Sequence, residues 1–429
     1  MRTLSNALIT AQQNTLAKPY NHLVMFLDSG IDTDEPLDLT ETGILCDADA
    51  TTAIPVGSII SIANDSGYGN ELMKVTGTGT TLTVTRGALG STAAVHATNK
   101  DICISTDYSS KLLFIERIEE MYRDQATTIL RNNDRAFDYI SMEGRMVRIA
   151  YGHTTNNAVV EPDGDNSTNE YSYTPELWVK SQMINSVEGE SVCQIYCEGC
   201  WYRMRETKFK AYGTAPYYQW IFENTHTIYE LLEMLIEDVM GWTLNPLATS
   251  DGIVDVFKPW FRTNAEQPEN VAEVVWRLIS MTKSYIRVRA NHIFDIIYPQ
   301  NADSANETFY SYQVPYFKEY IEKVNALVPN TINVLCNKTT PDSDPNWQTD
   351  VDTIIVGTAT DASQVAKYGD VLDIYIEGKI TNQTDADLFA SAILTRIMSD
   401  TIAGQLIIPH DAGMELYDKV SIVDSRGFQ

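Results

Sequence analysis

Cys193, Cys197 and Cys200 are separated by three and by two residues, the interval at which three thiolates hold an iron–sulfur cluster with one iron left open. That chemistry needs a loop. Cys193 and Cys197 instead fall in the alternating run Ser191-Val-Cys-Gln-Ile-Tyr-Cys, and position 199 is Gly, so the pattern reads as buried strand thiols beside a turn. Asp163, Asp165 and Ser167, and again Asp342, Asp344 and Asn346, copy the opening of a calcium loop without its sixth-position Gly or twelfth-position Glu. They read as solvated polar loops. His410, next to Asp411 and with Asp418 and Asp424 near in sequence, would allow acid–base or metal chemistry, but a plain turn histidine is the preferred reading. Glu119 and Glu120 are adjacent and point apart, so they form no acid/base pair. Gly77-Thr-Gly and Gly87-Ala-Leu-Gly lie between strands, with no Gly-Lys-Ser/Thr, and suit tight β turns better than a phosphate cradle. Neither Gly-x-Ser-x-Gly nor His-Glu-x-x-His occurs. No residue is assigned a catalytic, cofactor or metal role, and the chain is not expected to be an enzyme.

Trp201, Tyr202, Tyr212, Tyr217, Tyr218 and Trp220 cluster within twenty residues. Such rings fill cores, anchor subunit contacts or stack on sugars; core and interface are the preferred reading. The six cysteines are too few for a disulfide scaffold and suit buried, reduced thiols. A net charge of −27 over 429 residues repels phosphate backbones, which argues against nucleic acid as a direct partner. No run of eighteen apolar residues is present, so no membrane-spanning helix is expected.

The elements that would position these residues are mostly short strands. Thr52 to Asp107 alternates as a compact β meander around Val56, Glu71, Leu82 and Ile102. Lys111 to Tyr139 suits helix or strand. Arg145 to Tyr151, Leu177 to Ile184 and Ser191 to Cys197 alternate clearly. Three amphipathic helices start at Thr227 and Asn270, each with Glu three residues on, and at Thr384. The fold class predicted is β-rich α+β, several small β-barrel or sandwich subdomains with a few packed helices. Residues 1–51 and 108–212 would form a first β-barrel-like domain with 52–107 inserted. Residues 213–300 would form a helix-containing α+β domain, and 301–429 a second β-barrel-like domain with one helix. The chain stops just after a strand pattern and is expected to continue past Gln429.

The opening Met1-Arg-Thr-Leu-Ser-Asn-Ala-Leu, with Ala11-Gln-Gln and Lys18-Pro-Tyr, resembles that of phage tail and virion structural proteins. Gly57-Ser-Ile-Ile-Ser-Ile, Glu71-Leu-Met-Lys-Val, Leu82-Thr-Val-Thr-Arg-Gly-Ala-Leu-Gly-Ser and His96 resemble a β module of phage tail-tip proteins. Ala359-Thr-Asp-Ala-Ser, the helix through Ala386 to Arg396, and Gly413-Met-Glu-Leu-Tyr-Asp-Lys-Val resemble the end of baseplate-hub proteins. The resemblance implies a tail-tip or baseplate hub, assembled in the host cytoplasm and resident in the virion. It implies a homotrimer or ring, with tail tube, distal tail and tape-measure proteins as neighbours and the host surface beyond. Some such proteins carry a peptidase or lysozyme-like module, which has no sign here. A receptor-binding adhesin for a host glycan and a tail-associated cell-wall hydrolase are the alternatives.

Overall fold

A computed structural model describes residues 1–14, 17–62, 71–91, 93–160, 166–187, 189–208, 221–263, 269–300, 302–324, 328–337, 354–377, 380, 382–399 and 402–425. Among the described residues the first half holds twelve strands: β1 (Pro19–Asp32), β2 (Gly43–Leu45), β3 (Ile59–Ile62), β4 (Leu72–Gly77), β5 (Thr81–Thr85), β6 (Asp101–Asp107), β7 (Leu112–Glu120), β8 (Arg123–Arg131), β9 (Met146–Val160), β10 (Asn166–Tyr173), β11 (Leu177–Val187) and β12 (Glu190–Gly199). They pair in the order β2-β5-β4-β3-β6-β1-β9-β11-β12-β8-β7, with β10 on β9.

The long strand β1 joins the two parts of this sheet, pairing with β6 from Val24 onward and with β9 from Pro19 through Met25. Its run Leu23-Val-Met-Phe is buried throughout. Leu23 and Met25 face one core with Leu130, Val147, Ile149, Cys193 and Ile195. Val24 and Phe26 face another. A strand covered on both faces is apolar at every position, and β1 shows that pattern. A third cluster fills the small meander, where Ile60, Met73, Leu82 and Ile102 are joined by Ile31, Leu37 and Ile44 from before residue 52. The open stretch from Lys111 to Tyr139 begins as the hairpin β7–β8, which turns at Tyr122 with φ +61°.

Six α-helices are described: α1 (Asn6–Gln13), α2 (Cys200–Glu206), α3 (Ile228–Glu233), α4 (Val271–Ile279), α5 (Ala362–Tyr368) and α6 (Gln383–Ser399). The boxes at Thr227/Glu230 and Asn270/Glu273 cap α3 and α4 with both reciprocal bonds made. A π-helical turn, Met234–Val239, continues α3. At α6 the amide of Asp385 is held by the side chain of Asn382, so this helix starts slightly before the predicted Thr384. Three helices missed in the sequence, α1, α2 and α5, are each only seven or eight residues long.

One core runs through the second half and across residue 300: Val274, Val275 and Leu278 of α4 share it with Ile332, Val334, Ala386 and Ala390. The β-rich α+β class holds. No closed barrel is found among the described residues. The strands after residue 300 pair instead in small sheets: 307–310 with 420–423, 319–324 with 402–407, and 331–337 between 354–360 and 372–377. Among the described residues no helix is long and apolar enough to cross a membrane.

Candidate functional site

The three cysteines do not converge. Cys193 and Cys197 project from β12 into the core on one side of the sheet. Cys200 opens α2 and belongs to the core on the other side, with Trp201 and Met204. Burial pushes the Cys193 thiol up to about 11, and those of Cys197 and Cys200 well up, so all three are protonated near neutral pH. Among the described residues no three His, Cys, Asp or Glu side chains are grouped to hold a metal. Asp163, Asp165, Asp342, Asp344 and Asn346 lie outside the described residues, while Ser167 sits in β10 opposite Val159.

His410 lies exposed on a cleft wall, its ring 4.2 Å from that of Tyr151. Its proposed partners are engaged elsewhere. The Asp411 carboxylate accepts from the Gly413 amide at 2.7 Å and the Gln12 side chain at 3.2 Å. Asp418 takes Arg287 at 2.9 Å, and Glu415 pairs with the same guanidinium at 3.4 Å. Asp424 is buried at the end of the strand 420–423. Glu119 is half-buried whereas Glu120 is exposed and pairs with Arg123, so these two carboxylates do diverge.

A serine–histidine contact escaped the sequence motifs. The Ser109 hydroxyl stands 3.0 Å from His22 Nδ1 and 2.5 Å from Asp107 Oδ1. In a hydrolytic triad the carboxylate orients the far nitrogen of the histidine. Here Asp107 holds the serine itself, accepting also from its amide, while the Leu23 amide donates to the same hydroxyl. This geometry caps the turn into β7 and provides no relay.

The residues of the Leu82-Thr-Val-Thr-Arg-Gly block do come together. Glu71, wholly buried just before β4, accepts from Arg86 Nε and Nη2 at 2.7 and 2.8 Å. The Gly87 and Ala94 amides reach it at 3.0 Å each, and His96 Nε2 stands at 3.1 Å. Burial alone would raise this carboxyl; the bonds from His96, Arg86 and the two amides outweigh it and hold Glu71 at about 2. Gly87 has φ +60°, and a Cβ there would lie 2.9 Å from the Ser91 carbonyl oxygen. The glycine turn therefore does cradle an anion, and the anion is the protein's own carboxylate.

A second buried carboxylate joins the two halves. Glu176, between β10 and β11, accepts from the Asn291 and His292 amides at 2.9 and 3.2 Å and pairs with Arg148 of β9 at 3.2 Å. Asn291 and His292 form the turn between strands 285–289 and 293–297, both at positive φ. The His292 ring lies against Trp242 and Trp178, at 5.7 and 5.4 Å. Of the aromatic cluster, Trp201 is core, against Tyr122 at 4.9 Å, and Tyr202 is half-buried with Lys180 over its ring. Tyr212, Tyr217, Tyr218 and Trp220 lie outside the described residues.

No protein-family model matches the chain, and no curated protein does. Structural comparison does. The 43 kDa tail protein of prophage MuSo2 from Shewanella oneidensis is similar at a TM-score of 0.50 and 11% identity, over 76% of this chain and 88% of that one. The tail protein of Neisseria meningitidis MC58 aligns at 0.49 and 9%, over 73% and 83%. A topological model of the p2 virion baseplate in its activated conformation aligns at 0.25 and 13%, over 73% and 81%. Over 76% of its length, then, this chain shares the fold of the MuSo2 tail protein.

Proposed function

We propose that the chain is a structural subunit of a phage tail, a hub-type component of the tail tip or baseplate that assembles with copies of itself. Its neighbours in this reading are tail tube, distal tail and tape-measure proteins, and its place is the virion, after assembly in the host cytoplasm. The observation that carries the reading is the fold shared with the MuSo2 tail protein over 88% of that chain. The chemistry agrees: the buried charges of Glu71 and Glu176 tie the protein together, which suits a rigid building block. Open strand ends also fit an assembling subunit. The edge strand β7 exposes Leu113 and Phe114, and the strand 372–377 exposes Leu372, Ile374 and Ile376 on one face.

Sedimentation of the purified chain, with negative-stain imaging and antibody labelling of intact virions, tests the proposal. Trimers or rings, and label at the tail end, are the expected result. A monomer at all concentrations, with virions that carry no label, would remove it.

A further inference from the structure

A cleft of about 140 Å³ lies where the strand 260–262, the end of α4 and the start of α6 meet. No sequence motif pointed to it, and it is separate from the carboxylate clusters above. Trp260, Phe261 and Phe389 supply aromatic wall, and Asp385, Glu377 and Arg277 supply polar groups. It is smaller than the roughly 300–1,000 Å³ that holds a drug-sized ligand, so it fits one ring.

The wall chemistry narrows the ligand. An apolar ring would strip water from Asp385 and Glu377 and return no hydrogen bond. A cation would suit the carboxylates but would meet Arg277, whose guanidinium already lies 4.4 Å from the Phe261 ring and pairs with Glu269 at 2.7 Å. Hydroxyl groups both donate and accept, so they satisfy carboxylates and guanidinium together. The C–H face of a pyranose carries the partial positive charge that an aromatic face attracts. Asp385 is held in place by the Asn382 amide at 2.6 Å, in the first turn of α6.

We infer that this cleft binds a single neutral sugar ring, stacked on an aromatic wall and held through its hydroxyls by Asp385, Glu377 and Arg277. The inference goes beyond the tail-subunit reading and stands without it.

Saturation-transfer NMR on the full chain tests it, with methyl α-D-glucoside, methyl α-D-galactoside, N-acetyl-D-glucosamine and L-rhamnose as probes and choline and arginine amide as cationic comparators. At least one sugar is expected to bind saturably, with a dissociation constant on the order of 1 mM, about 4 kcal/mol. Trp260→Ala should abolish the signal, and Asp385→Asn, which keeps the side-chain shape, should weaken it about tenfold. Trp276→Ala, an exposed tryptophan of α4 that does not line the cleft, should leave it unchanged. No saturable sugar signal from the wild type would overturn the inference. So would wild-type binding by Asp385→Asn, or binding of the cations alone.

Discussion

Glu71 has no exposed surface, and the bonds aimed at it set both its charge and its worth. Four donor groups and a histidine converge on two oxygens, so a glutamine there would present an amide to guanidinium and backbone N–H groups that need an acceptor. Glu71→Gln is expected to destabilise the β2–β6 module by ~3–5 kcal/mol, the usual cost of leaving a buried partner charge unpaired. The pH dependence has a definite sign. The folded carboxyl sits at about 2 against an ordinary 4.5, so its contribution is complete above 4.5 and is lost as pH falls from there toward 2. Thermal unfolding between about pH 6 and pH 3 checks this: the wild-type midpoint should fall more steeply below pH 4.5 than that of Glu71→Gln. Equal slopes would mean the carboxylate contributes nothing.

At the scale of elements, α6 is seated by close backbone approach as well as by apolar packing. A Cβ on Gly357 would stand 2.1 Å from the Ala386 carbonyl oxygen, so this helix lies against bare backbone of the strand 354–360. Gly357→Ala must push helix and strand apart, at ~1–3 kcal/mol or more. Hydrogen exchange across 383–399 should accelerate while β8 and β12, in another core, keep their protection. Unchanged exchange in α6 would sink that account. Such contacts also mark what the sequence disclosed. The helices α3 and α4 were legible because stripe, cap and box agree at Thr227 and Asn270. The strand β1 was not, because two-sided burial erases the alternation that announces a strand; α2 was hidden because its Cys200 and Trp201 look like the continuation of β12. The residues around Glu71 were visible as a block, yet their purpose was not. Nothing in the spacing of Glu71, Arg86 and His96 says that they meet, since the turns between strands bring them together.

For the molecule as a whole, the question is how the twelve-stranded half and the helical half hold their mutual orientation. A turn of two positive-φ residues, Asn291 and His292, plugs onto Glu176 and Arg148, and Asn291 also reaches the Leu89 carbonyl at 2.8 Å. The His292 ring is buried between Trp178 and Trp242, and the loss of solvent lowers its pKa below 6.5; Glu176 pulls the other way and Arg148 adds to the lowering. A histidine kept neutral by folding stabilises the native state above 6.5, and that contribution is lost as pH falls below 6.5, because only the released ring takes up the proton readily. The joint should therefore loosen before the Glu71 cluster does. With rates corrected for intrinsic chemistry, exchange in 285–297 should rise between about pH 6.5 and 5, while β3–β6 stay protected until below 4.5. His292→Asn removes the titrating ring and keeps a residue type that tolerates positive φ, so its exchange in 285–297 should be flat over that range. If the variant and wild type accelerate alike, the acid sensitivity of the joint lies with another group, and His292 serves there only as packing.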